Sequence, residues 1–142
     1  MSAGENTAPG CILYLRVSFP QWDEFEYHDR YFVLVDRAKY PILLKLNTSD
    51  EISEIAKRKK ESIFLFKKSV YPGLDHDRFI DCGTPWIRLL SLDEIVQQVS
   101  KEPKKRFIGE VTSDHKREIV LRTGKSDSFN RIQKQIVRDC LV

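Results

Sequence analysis

Arg30-Tyr31-Phe32-Val33-Leu34-Val35 and Ile42-Leu43-Leu44-Lys45-Leu46, separated by the turn-forming Ala38-Lys39-Tyr40-Pro41, are the stretches whose reading decides the fold. The first is rich in β-branched and aromatic residues and the second in aliphatic ones, the pattern of strands buried in a sheet. Joined by so short a connection, they are expected to pair as an antiparallel hairpin. The beginning of the first strand then lies beside the end of the second.

Upstream, Cys11–Phe19 carries Ile12, Tyr14 or Leu15, and Val17 in approximate alternation before Pro20 stops it, which predicts another strand. Between the two, Gln21–Asp29 reads as an acid-rich loop that holds Trp22, Phe25 and Tyr27. Downstream, Asn47-Thr48-Ser49-Asp50 favours a helix cap, and Ile52, Ile55 and Ala56 suit a short helix toward Lys60. Strand material follows at Ser62–Phe66, Arg78–Cys82, Trp86–Leu90 and Glu118–Leu121, with a turn at Tyr71-Pro72-Gly73-Leu74 and a break at Gly83-Thr84-Pro85. Phe107–Val111 ends at the turn-prone Thr112-Ser113-Asp114.

Ser91 with Glu94 forms a capping box ahead of a helix whose Leu92, Ile95, Val96 and Val99 share one face. From Ser126 to Val142, Phe129, Ile132, Ile136 and Cys140 recur at helical spacing, widened by Val137 and Leu141, so a terminal amphipathic helix is expected to bury that stripe. Short strands with frequent turn signals and few helices predict a mainly β fold, a small curved sheet or barrel with appended helices. Its 142 residues suffice for one core, so residues 11–142 are read as one domain behind a flexible segment, 1–10.

Composition narrows the classes. With 41% hydrophobic and 11% aromatic residues, the chain is neither disordered nor low-complexity. Its apolar runs, such as Tyr31–Val35 and Pro41–Leu44, fall far short of the roughly 20 residues that span a bilayer, and its polar N-terminus lacks a signal-peptide pattern. A cytoplasmic protein with no membrane association is expected. Cys11, Cys82 and Cys140 are odd in number and scattered, which suits reduced thiols and gives neither a disulfide framework nor a metal site. The net charge of +3 is only mildly basic, yet Lys57-Arg58-Lys59-Lys60, Lys67-Lys68, Lys104-Lys105-Arg106 and Lys116-Arg117 are clusters able to build a local field for phosphate.

The order of these elements resembles the MazF/PemK family of toxins from bacterial toxin–antitoxin systems. The resemblance runs from about Cys11 to Leu141 and rests on Arg30-Tyr31-Phe32-Val33-Leu34-Val35, where family members carry an arginine before an apolar strand. It continues through Leu44-Lys45-Leu46-Asn47-Thr48-Ser49, Tyr71–Cys82 and Ile108-Gly109-Glu110-Val111-Thr112-Ser113. Two departures are plain: Gly10-Cys11-Ile12 lacks the acid of a common Gly-Asp-Ile opening, and Ile80–Pro85 offers neither the Arg nor the Asp at the places where one branch sets them around a strand cysteine.

The resemblance implies an SH3-like small β-barrel with a C-terminal amphipathic helix. It implies a homodimer that cleaves single-stranded RNA without a metal or cofactor, by attack of a ribose 2′-hydroxyl, and is silenced by an antitoxin protein. The alternative is a non-catalytic module on the same barrel that binds RNA or protein, including a topoisomerase-poisoning toxin, since fold alone does not fix function.

Cleavage of this kind needs a cation for the phosphorane, a base and an acid. Arg30 suits the first role through its permanently charged donor fork, although an ion pair with Asp29 or Glu26 would equally explain it. Thr48 and Ser49 suit phosphate hydrogen bonding or, equally, a helix cap. His28 and His76 suit proton transfer near neutrality, with Glu24 and Glu26 as other bases, whereas His115 reads as a turn residue. Trp22 and Tyr27 suit stacking on bases, or covering the barrel mouth, or receiving an antitoxin peptide; Lys45 completes the expected substrate contacts. The three histidines have no metal-ligand spacing.

Overall fold

A computed structural model describes residues 6–19, 24–48 and 62–141. It is mainly β. Among the described residues, six antiparallel strands form one curled sheet, a half-barrel with helices appended. In chain order these are β1 (Cys11–Phe19), β2 (Glu24–Leu34), β3 (Leu43–Asn47), β4 (Ile63–Phe66), β5 (Arg78–Asp81) and β6 (Phe107–Glu110), arranged β4-β5-β3-β2-β1-β6. The helices that lie within the described residues are α1 (Leu92–Lys101), α2 (Pro103–Arg106), α3 (Ser113–Gly124) and α4 (Arg131–Leu141).

The apolar hairpin is β2–β3, with Tyr31 opposite Leu46 and Leu34 opposite Leu43. Its turn is organised by Asp36, a buried carboxylate that accepts from the amides of Ile42 at 2.8 Å and Ala38 at 3.2 Å. The strands read as unbroken apolar runs because both faces of the sheet are covered here. On one face Leu13, Leu15, Val17, Phe32, Leu34 and Leu43 pack against Trp86, Leu90, and Ile95 and Val99 of α1. On the other, Ile12, Tyr31, Val33, Leu44 and Leu46 pack with Tyr71, Leu74, Ile119 of α3, Phe129, and Val137 and Leu141 of α4.

Curling brings the segment between β4 and β5 onto β6. A Cβ on Gly73 would lie 2.6 Å from the Ile108 carbonyl oxygen, so only glycine lets the two backbones meet there. Residues 6–10, expected to be flexible, are packed: Asn6 and Thr7 are buried, and the Gly10 amide donates to the Leu34 carbonyl at 2.7 Å.

Several sequence expectations are corrected. Glu118–Leu121 is not strand but the middle of α3, because the Thr112 side chain caps that helix at the His115 amide and Ile119 and Thr123 turn inward one helical turn apart. Trp86–Leu90 contributes a single bridge, Trp86 to Leu43, and Arg88 leaves extended geometry at φ 63°. From Glu24 the expected loop is already β2. Helix α4 starts at Arg131, not Ser126, since Asn130 and Gln133 exchange backbone–side-chain hydrogen bonds at 2.8 Å. Ile132, expected in its buried stripe, is 72% exposed. The expected helix running toward Lys60 lies outside the described residues.

Candidate functional site

The alternation of β2 divides the candidate residues between the two faces of the sheet. Arg30 and His28 alternate with Phe32 and pair with Leu15 and Val17 of β1, so both belong to the face that α1 covers farther along. Lys45, opposite Phe32, shares that face. Its ammonium is buried, donates to Asn47 Oδ1 at 2.6 Å and lies 5.8 Å from the Phe19 ring centroid. Since Tyr31 faces Leu46, the next register step brings Arg30 beside Asn47, and Thr48 follows directly after β3. Arg30 is half-buried and its Nη1 donates to the Asp29 carbonyl at 2.9 Å. Arg30, His28, Lys45 and Thr48 therefore stand at one end of the β2–β3 ladder.

His76 stands apart from them. It is exposed, on the loop before β5, with Nδ1 3.3 Å from Asp75 Oδ2. Asp75 grips Arg78 by two bonds of 3.0 Å, and the Arg78 guanidinium lies 4.5 Å from the centroid of Tyr31, on the face opposite Arg30. The Arg78 hydrogen bonds hold the Asp75 carboxyl below its ordinary range. Tyr27 is also on the Tyr31 face, 59% exposed, with the Arg16 guanidinium 5.6 Å from its ring. Trp22 and Ser49 lie outside the described residues.

Two groupings were not foreseen. Arg106, buried at the end of α2, reaches across β1 to Asp29: its Nη1 donates to Asp29 Oδ1 at 2.6 Å and to the Tyr14 carbonyl at 3.2 Å. Burial alone would raise the Asp29 carboxyl, but the Arg106 hydrogen bond and the charges of Arg106, Lys105 and Arg16 bring it below its ordinary value. The second is His115, in the first turn of α3 and not in a turn. It stacks on Phe66 with ring centroids 4.9 Å apart, and its Nδ1 lies 2.6 Å from the Tyr71 hydroxyl. That hydroxyl also accepts from the Thr112 amide at 3.1 Å. Burial pushes the imidazole below its ordinary value. Thr112-Ser113-Asp114 signalled a helix start in the sequence, but nothing there linked it to Tyr71.

Among the described residues no group of three His, Cys, Asp and Glu side chains converges as metal ligands, and no helix is long and apolar enough to cross a membrane. Burial raises the thiols of Cys11, Cys82 and Cys140, which keeps them protonated and poorly nucleophilic near neutrality. What the ladder end offers is the half-buried Arg30 guanidinium on the same face as His28, with the Lys45 ammonium engaged by Asn47, residue types that suit a phosphate. The chain matches no protein-family model and no curated protein.

Proposed function

We propose that the protein is an endoribonuclease that cleaves single-stranded RNA without a metal, through attack of a ribose 2′-hydroxyl on the adjacent phosphate. The observation that carries this reading is the arrangement of Arg30 and Lys45 on adjacent strands, on one face and at one end, with His28 on the same face and Thr48 next to β3. A base takes the 2′-hydroxyl proton, the oxygen bonds to phosphorus, and the 5′-oxygen leaves with a proton from an acid, giving a 2′,3′-cyclic phosphate and a 5′-hydroxyl. Arg30 meets the charge that develops on the phosphorane, and its fork geometry favours two phosphate oxygens at once. Thr48 donates to the same phosphate. Of the two histidines, His28 is the one that shares a face with Arg30, which favours it over His76 for proton transfer. The homodimer and the inhibitory antitoxin implied by the resemblance belong to the same proposal.

Incubation with a long unstructured RNA in excess chelator is expected to give discrete fragments. Arg30→Ala should lower the rate by about two or more orders of magnitude, the scale for removing one transition-state donor, at an unchanged thermal midpoint. An Arg30→Ala variant that cuts at the parent rate removes Arg30 from the mechanism and moves the search to His76, Asp77 and Arg78. The burial of Lys45 and its bond to Asn47 favour a second reading, in which that cation is structural and the domain binds RNA or protein without cutting it. RNA left intact at stoichiometric protein selects it.

A further inference from the structure

Tyr27 is the most exposed aromatic side chain on the described part of the sheet, at 59%, and β2 continues past it on both sides. Along the same face of the β1–β2 ladder stand Arg16 opposite Asp29 and Tyr14 opposite Tyr31. Tyr14 is half-buried, its ring centroid 4.4 Å from that of Tyr31, and Arg16 is exposed. Tyr27 and Tyr31 are four positions apart on one strand, about 13 Å at the usual rise of an extended chain. An exposed cation thus lies between two aromatic stations.

The carboxylate in this row does not cancel that cation. Asp29 is bound by Arg106 at 2.6 Å and has the Lys105 ammonium at 3.7 Å, and Lys105 is itself about half exposed. Glu102 draws on the same two bases at 3.5 and 3.9 Å. Arg16, Lys105 and Arg106 against Asp29 and Glu102 leave the strip positive.

The backbone along the outer edge of this strip is already used. Beyond the end of β6, the Arg16 amide donates to Gln98 Oε1 at 2.8 Å and its carbonyl accepts from Gln98 Nε2 at 3.0 Å. Arg106 holds the Tyr14 carbonyl. A peptide adding as a further strand needs those groups free. A ligand that uses aromatic faces and side-chain cations does not, and single-stranded nucleic acid binds in that way.

We propose that the Tyr14, Arg16, Tyr27 and Lys105 strip, on the face of the sheet opposite Arg30, is a binding track for single-stranded RNA, with bases on Tyr27 and Tyr14 and phosphates on Arg16 and Lys105. It rests on the RNA reading above but requires no cleavage. It places a stretch of substrate away from the scissile phosphate, where it governs affinity.

The test is fluorescence anisotropy with a labelled single-stranded oligonucleotide, 2′-O-methylated throughout so that it has no attacking hydroxyl, against the same sequence as a duplex. The single strand is expected to bind more tightly. Tyr27→Ala should weaken it about tenfold, within the range for one stacked base, whereas Tyr27→Phe should retain binding because the ring, not the hydroxyl, stacks. Arg16→Gln should lessen the salt dependence by about one phosphate contact. No binding by the parent protein, or equal binding by Tyr27→Ala with an unchanged thermal midpoint, overturns the track and gives this face to a protein partner. The two readings separate cleanly. RNA cut in an Arg30-dependent manner with Tyr27-independent binding keeps the nuclease and removes the track; uncut RNA with Tyr27-dependent binding does the reverse.

Discussion

Replacing Arg106 by methionine keeps an unbranched apolar stem and removes the guanidinium, which shows what that group does for β2. Arg106 is 5% exposed at its side chain and Asp29 23%, so the pair is largely withdrawn from water. Removing one partner of a buried pair costs about 3–5 kcal/mol, because the other charge stays behind. Here Lys105 at 3.7 Å still attends the carboxylate and water reaches part of it. That places the loss just below this range, about 2–3 kcal/mol, with the unpaired Tyr14 carbonyl included. For a chain of this size that is roughly 6–12 °C in thermal midpoint.

The pH dependence carries the sign. Asp29 sits below its unfolded value of about 3.9, so its contribution is fully present above that pH and is lost as pH falls through the lower folded value. In Arg106→Met, desolvation acts with less opposition and the folded value rises. The deficit against the parent should therefore be largest near pH 7 and shrink below about pH 4. Urea unfolding at pH 7 and pH 3 reads both. A variant within about 0.5 kcal/mol of the parent at pH 7, or a deficit that does not change with pH, would refute the assignment.

Gly73→Ala should destabilise by about 1–3 kcal/mol through overpacking, since the new methyl would lie 2.6 Å from the Ile108 carbonyl oxygen and 3.0 Å from Ile108 Cγ2. Hydrogen exchange should quicken at β6, and equal protection in the two proteins would mean that the seam gives way without cost. Burial lowers the His115 imidazole below its ordinary value, so the fold is penalised as pH falls below the unfolded value of about 6.5. The thermal midpoint should decline from pH 7.5 to 5.5 in the parent and decline less in His115→Phe, which keeps the stack on Phe66 but cannot protonate; parallel curves would exclude His115 as the source.

The hairpin was legible because burial on both faces leaves an apolar run that needs no knowledge of its neighbours, and α1 because Ser91 and Glu94 act within one turn. Glu118–Leu121 misled for a local reason. Ile119, Val120 and Leu121 favour a strand by themselves, and the Thr112 cap that overrides them lies outside that window. The first half of β2 was missed because Tyr27, His28 and Asp29 follow one another without the apolar alternation of a half-buried strand and so imitate a loop. For the site, the hairpin put Arg30 and Thr48 at one end, but their separation from His76 required the register. The Arg106–Asp29 bond, 77 residues apart in sequence, left no mark that a reading of neighbours could find.

Register is also what makes one strand serve two faces. A slip of β2 by a single residue would carry His28 and Arg30 to the Tyr31 side and Phe32 into the core on that side, so the Arg30–Lys45 set and the aromatic strip exist only while the alignment holds. In the apolar half the two cores enforce it. In the polar half, where burial has no preference between alignments, the work falls on directed bonds. Arg106 ties Asp29 of β2 to the Tyr14 carbonyl of β1, and Gln98 closes both backbone groups of Arg16. The ladder shifts only beyond these fasteners, between Val17 and Phe19. Arg30 is held by the carbonyl of the same Asp29, so the bond that fixes the alignment also fixes the backbone group that orients the arginine.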